Sequence, residues 1–214
     1  MSMIAAILRL DRAAVQALRI TDPYSLHRVV YSLFPDVRDD AAKQSSTPSG
    51  ILFVDKGGDA RGRKVLILSD RSPQPEKLRE WGNLESKPVP AGFLTHTRYR
   101  FEVVINPTRR DSASRKLVPV RQQQDIAEWF CQAAARSWGF AADPDSLTVS
   151  AADVLHFRGK GQQPVTIARA AVQGILTVTD VDLFQQSFKR GIGRGRAFGC
   201  GLLQLVPLAS DLFS

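Results

Sequence analysis

Residues 163–208 read "QPVTIARAAVQGILTVTDVDLFQQSFKRGIGRGRAFGCGLLQLVPL", and the order of patterns in this stretch decides the fold. Its first part is a long β-rich run. "VDLFQQSFKR" then has helical spacing, with Asp180 as a suitable N-cap, and "FGCGLLQLVPL" reads as a strand. Between helix and strand lie Gly191, Gly193, Gly195, Gly199 and Gly201, among Lys189, Arg190, Arg194 and Arg196. A phosphate-binding P-loop needs a Lys-Ser or Lys-Thr pair after its glycines, and none follows here. A dinucleotide fingerprint needs a third glycine where Arg196 stands. Both motifs also run strand–loop–helix, whereas here the helix comes first. The loop is no mononucleotide cradle. Gly191 suits a helix cap, and the other glycines let the backbone approach an anion beside the guanidinium groups.

Working outward, "LTVSAADVLHFRGKG" and "QPVTIARAAVQGILTVTD" read as two long strands joined by a turn. Ahead of them, "TRYRFEVVIN" alternates as a strand and "RQQQDIAEWFCQAAARSWGF" is an amphipathic helix. The order is β-α-β-β-α-β. The first half repeats it: "MIAAILRL" is a strand, and Asp22 and Pro23 start a helix carrying Leu26, Val29, Val30 and Leu33. "GILFVD" and "KVLILSD" flank the turn "KGGDARGR", and a short helical pattern and an edge strand precede Gly92. These patterns predict an α+β protein of two tandem ferredoxin-like (RRM-like) domains, residues 1–90 and 91–208, with a tail at 209–214.

With 43% hydrophobic residues, the 214-residue chain can bury a substantial core. No apolar run approaches the roughly 20 residues that span a bilayer. Cys131 and Cys200 lie far apart without metal-ligand spacing, which predicts a reduced, cytoplasmic, disulfide-free protein. The formal net charge of +8 favours an anionic partner, nucleic acid being the commonest. Arg98, Arg100, Arg109, Arg110, Arg115, Lys116 and Arg121 fall in one span that holds only Glu102 and Asp111 as acids. Arg98 and Arg100 share a strand face, and "NPTRRDSASRK" reads as a loop of small residues suited to tracking phosphates. Arg158 and Lys160 sit at a hairpin tip. One such charge is ordinary solvated surface; three clusters at loop tips of one domain favour a nucleic-acid partner.

Of the three histidines, His27 stands three residues after Tyr24 and four before Tyr31. That spacing puts the three rings on one helical stripe beside the apolar one, with Arg28 adjacent. A histidine in such a setting can give or take a proton near neutral pH. No metal-spaced cluster, no G-x-S-x-G and no CxxC is present, so the expected chemistry is acid–base work without metal or cofactor.

"DPYSLHRVVYSLFPD", "INPTRR" and "GIGRGRAFGCGLLQLVPL" resemble, in order, the CasE family of CRISPR RNA endoribonucleases, which belong to the type I-E Cascade complex. The resemblance implies metal-independent cleavage of the repeat hairpin of precursor CRISPR RNA, leaving a 2′,3′-cyclic phosphate or 3′-phosphate and a 5′-hydroxyl. It implies other Cascade subunits as partners and no membrane. The family's catalytic histidine falls on His27, its companion tyrosine on Tyr24, and its hairpin-tip cations near Arg158 and Lys160. Without proton transfer at His27, the same fold would be an RNA-hairpin-binding module.

Overall fold

The structure is a computed structural model that describes residues 3–37, 48–59, 62–78 and 80–209. The tip of "KGGDARGR" at residues 60–61 and the tail from 210 lie outside the described residues. The chain falls into two compact units. One is Met1–Pro90 with Ala197–Gly199; the other is Ala91–Arg196 with Cys200–Ser214.

In the first unit, β1 (Ile4–Leu10) pairs antiparallel with β3 (Gly62–Ser69) and β4 (Asn83–Pro88), and β2 (Ile51–Asp59) closes the order β2-β3-β1-β4. Alternation in β1 sends Leu8 and Leu10 into a core with Val30, Leu33, Phe53, Val65 and Ile67. Among the described residues, β1 is followed by α1 (Arg12–Ala17), which the sequence pattern did not predict, and α2 (Pro23–Ser32). Asp11 caps α1 by accepting from the Ala14 N–H at 2.7 Å. Asp22 caps α2 through a reciprocal pair: its carboxylate accepts from the Ser25 N–H, and the Ser25 hydroxyl accepts from the Asp22 N–H. The glycine-rich segment after Asp55 is not all turn, because β2 continues through a bulge to Asp59. Between β3 and β4 the expected helical pattern makes only one 3₁₀ turn, Pro75–Leu78, which buries Leu78 alone. Prolines at 73 and 75 restrict the backbone there, and one apolar side chain cannot support a longer helix.

In the second unit, β5 (Arg98–Ile105) lies between β11 (Pro164–Val178) and β12 (Gln204–Pro207), and β10 (Asp153–Arg158) on the far side of β11 gives the order β10-β11-β5-β12. α3 (Gln123–Ser137) and α4 (Val181–Arg190) complete the β-α-β-β-α-β order. The strand expected ahead of β11 is broken into β9 (Thr148–Val149) and β10, and β8 (Phe140–Ala142), where the helical pattern was expected to end, also pairs along β11. Pro144 starts a 3₁₀ turn between β8 and β9. Side chains replace the missing ladder bonds: the Ser146 hydroxyl accepts from Ile175 N–H at 2.9 Å and the Ser150 hydroxyl from Ala171 N–H at 2.8 Å. "NPTRRDSASRK" is likewise not a plain loop, since β6 (Thr108–Arg110) pairs with β7 (Leu117–Pro119). Asp111 pins the turn between them, accepting from the Ser114 hydroxyl and N–H. The Ser114 bonds hold its carboxyl below the usual range. β12 starts at Gln204, later than its sequence pattern suggests, because residues 199–203 belong to the glycine loop.

The core of this unit is aromatic. Phe101 stacks on Phe130 with centroids 5.4 Å apart, and Phe140, Trp138 and Phe184 pack around them. The buried Tyr99 hydroxyl donates to the Phe93 carbonyl and accepts from the His96 N–H, which locks the start of β5. Burial pushes its pKa up.

Candidate active site

α2 presents Tyr24, His27 and Tyr31 on one half-buried stripe. Its separation from the apolar stripe is less clean than the spacing suggests. Tyr31 packs against the core, and Val29, expected inside, is only half-buried. The Tyr24 and His27 rings lie near parallel, 13° apart in plane, with centroids at 6.0 Å. Tyr31 is closer, at 4.0 Å from the His27 ring. Phe198, which the glycine loop brings into the first unit, stands at 5.9 Å.

The bond that orients His27 comes from the same loop. Its Nδ1 lies 2.8 Å from the Ala197 carbonyl oxygen. A carbonyl can only accept, so Nδ1 carries the proton. The neutral ring therefore has its lone pair on Nε2, and Nε2 is the nitrogen that takes up or releases a proton. The two partners are 170 residues apart in sequence. No local pattern announces that bond.

The loop itself is built on left-handed backbone. Gly191, Gly193, Gly195, Gly199 and Gly201 have φ of 75°, 67°, 77°, 83° and 85°. Gly191 is the C-cap of α4. Between Gly195 and Gly199 a 3₁₀ turn, Arg196–Phe198, carries the Ala197 carbonyl to His27.

The sequence profile of one family, described as CRISPR associated protein, matches residues 3–207. The chain belongs to that family. A curated relative is the CRISPR system Cascade subunit CasE of Escherichia coli (strain K12), 27% identical over 196 residues that cover 87% of this chain and 93% of the relative. Among solved structures, a CRISPR endoribonuclease Cse3 bound to a 19 nt RNA aligns at 24% identity and TM-score 0.78, covering 97% of this chain and all of the other. Cse3 of Thermus thermophilus, bound to an RNA representing a pre-cleavage complex, aligns at 21% and TM-score 0.77 over the same shares. The tandem ferredoxin-like fold of these CRISPR associated proteins is thus the fold of this chain.

Within this family framework the cations expected to meet RNA divide by what else they do. Arg28 is exposed on α2, in the first unit. The others belong to the second. Arg98 and Arg100 point outward from β5, opposite its buried Tyr99 and Phe101. Arg109, Arg110, Arg115 and Lys116 are exposed around the β6–β7 turn, and Arg158 and Lys160 at the β10–β11 tip. Lys189, Arg190 and Arg194 are exposed after α4, and Arg196 is half-buried. Three arginines also hold turns closed. Arg110 donates to the Arg115 carbonyl at 2.7 Å, Arg158 to the Gln162 carbonyl at 3.0 Å, and Arg196 to the Arg190 carbonyl at 3.0 Å. The last bond occupies an α4 C-terminal carbonyl, where a cation also favours the helix dipole. Sequence reasoning read charge at these positions and missed the locking role.

Proposed function

We propose that this chain is an endoribonuclease that cleaves the repeat hairpin of precursor CRISPR RNA in the cytoplasm, without a metal, and serves with other Cascade subunits. The observation that carries the reading is the fixed His27 ring, with Nδ1 bound to the Ala197 carbonyl and Tyr24 stacked one turn away. Family membership supports the substrate class, since the E. coli relative is a Cascade subunit and the Cse3 structures hold RNA.

In this mechanism the 2′-hydroxyl beside the scissile phosphate attacks phosphorus in line. A 2′-O–P bond forms, the P–O5′ bond breaks, and a 2′,3′-cyclic phosphate and a 5′-hydroxyl result. One proton leaves the 2′-oxygen and one reaches the departing 5′-oxygen. His27 Nε2 carries one of these transfers; as neutral imidazole it is a base, and as imidazolium an acid. The Tyr24 hydroxyl, on the same face, assists by positioning the RNA. Arg28 stabilises the charge that builds on the non-bridging oxygens of the phosphorane. The arginines and lysines of the second unit bind the duplex by its phosphates, as RNA helices are read by shape.

The test is incubation of a labelled repeat hairpin with the protein in EDTA. Wild type is expected to cut it to cyclic-phosphate and 5′-hydroxyl ends. His27→Ala is expected to bind with little change and leave the RNA whole. Binding without cleavage by the wild type would make the chain an RNA-hairpin-binding module. Normal cleavage by His27→Ala would remove His27 from the chemistry.

A further inference from the structure

We propose that Tyr31 is a positioning residue for His27, anchored through Ser49 and Arg71; this rests on the reading that His27 moves a proton. Tyr31 lies one helical turn after His27, and its ring, tilted 38°, is closer to the imidazole than that of Tyr24 or Phe198. Its hydroxyl is 2.8 Å from Ser49 Oγ. Ser49 Oγ also donates to the Ile51 carbonyl at 3.2 Å and accepts from the Ile51 N–H at 3.3 Å. A serine hydroxyl has one proton and two lone pairs. Whichever hydroxyl donates, the 2.8 Å bond ties the Tyr31 phenol to Ser49, and the two Ile51 contacts hold Ser49 in turn. Tyr31 is therefore anchored with its ring against the imidazole.

Ser49 is itself fixed. Arg71 donates to the Ser49 carbonyl at 3.0 Å and to the Pro35 carbonyl at 3.1 Å, and its guanidinium lies 5.9 Å from the centroid of the Phe34 ring. One side chain thus ties the segment leaving α2 to the segment entering β2. The ring that His27 leans on is held by tertiary bonds as well as by its own helix. His27 is located twice, by Ala197 at Nδ1 and by Tyr31 against its face.

The experiment measures single-turnover cleavage and hairpin Kd for Tyr31→Phe, Ser49→Ala and the double variant, well below their melting temperatures. A misplacement of about 1 Å costs on the order of 10²-fold in rate, so a loosened ring should cost roughly tenfold. Each single variant is expected to slow cleavage by that factor at unchanged Kd, and the double variant to be no slower than either. Imidazole ¹⁵N spectra should show the Nδ1–H tautomer of His27 in wild type and an averaged signal in both variants. If Tyr31→Phe is slow and Ser49→Ala normal, Tyr31 acts on the RNA directly and the proposal fails. It also fails if both cleave normally with an unaltered spectrum. Should Tyr31→Phe not fold, Ser49→Ala decides alone. Normal cleavage by His27→Ala would instead sink the catalytic reading, leaving the clamp to be judged by the ¹⁵N spectra.

Discussion

Replacing Gly201 with alanine should destabilise the second unit far more than replacing Gly193, although both have positive φ. At Gly193, φ is 67° and an added Cβ would meet nothing within 4 Å. The cost there is backbone strain alone, roughly 1–2 kcal/mol for a non-glycine residue in the left-handed region. At Gly201, φ is 85° and the added Cβ would drive into the Ile192 carbonyl, with Arg196 Cγ only 3.2 Å away. Relief requires residue 201 to move. That loosens its N–H bond to the Val104 carbonyl (2.7 Å) and the Ile192 N–H bond to its own carbonyl (2.9 Å). Each hydrogen bond contributes about 1 kcal/mol net, so strain and bonds together come to about 3–4 kcal/mol. At about 2–4 °C per kcal/mol for a protein of this size, Gly201→Ala should melt roughly 10 °C lower and Gly193→Ala only a few degrees lower. Circular dichroism melts and urea titrations of both variants read this directly. Equal losses would refute the steric argument and leave φ as the only cost.

Asp22→Ala removes the reciprocal cap of α2 and should cost about 1 kcal/mol, with slower cleavage because Tyr24 and His27 sit in the helix it starts; unchanged melting would mean the cap is dispensable. Lys160→Ala should lower the slope of log affinity against log salt by about 0.7–0.9 for each phosphate the side chain neutralises. Arg158→Ala should do the same and also lower the melting temperature, since Arg158 holds the Gln162 carbonyl of a turn whose Gln162 has φ of 63°. An unchanged slope in both would take the β10–β11 tip off the RNA. Burial pushes the Cys200 thiol up to about 12, against the opposing charge of Arg169. The folded state therefore keeps a proton that the unfolded chain releases at about pH 8.5–9. The stability is intact below that pH and erodes as pH rises toward 12. The stability gap between wild type and Cys200→Ala should accordingly shrink between about pH 9 and 11 in urea titrations, and a constant gap would contradict the burial.

Local chemistry by itself defines much of this protein. Asp22-Pro23 marks the start of α2 because a carboxylate cap and a fixed φ act within one turn. The alternation of "RYRFEVVI" separates outward Arg98 and Arg100 from buried Tyr99 and Phe101, since a strand repeats every two residues. The glycine loop needed positive φ at all five positions, as its bareness implied. Tyr24 and His27 share a face through helical spacing alone.

Tertiary structure decided what depends on groups distant in sequence. Ser150 sits at the break in the strand expected before β11 and bonds backbone more than twenty residues away. "NPTRRDSASRK" looks flexible by composition, yet pairing across Asp111 makes it a hairpin. Arg110, Arg158 and Arg196 read as surface charge, because which carbonyl a guanidinium meets is set by turn geometry rather than residue type. The state of His27 is the sharpest case. Its type and spacing nominate it for proton transfer, but which nitrogen holds the proton depends on a carbonyl 170 residues away. Periodicity reports which face a side chain occupies; only the folded chain supplies the acceptor that selects its tautomer.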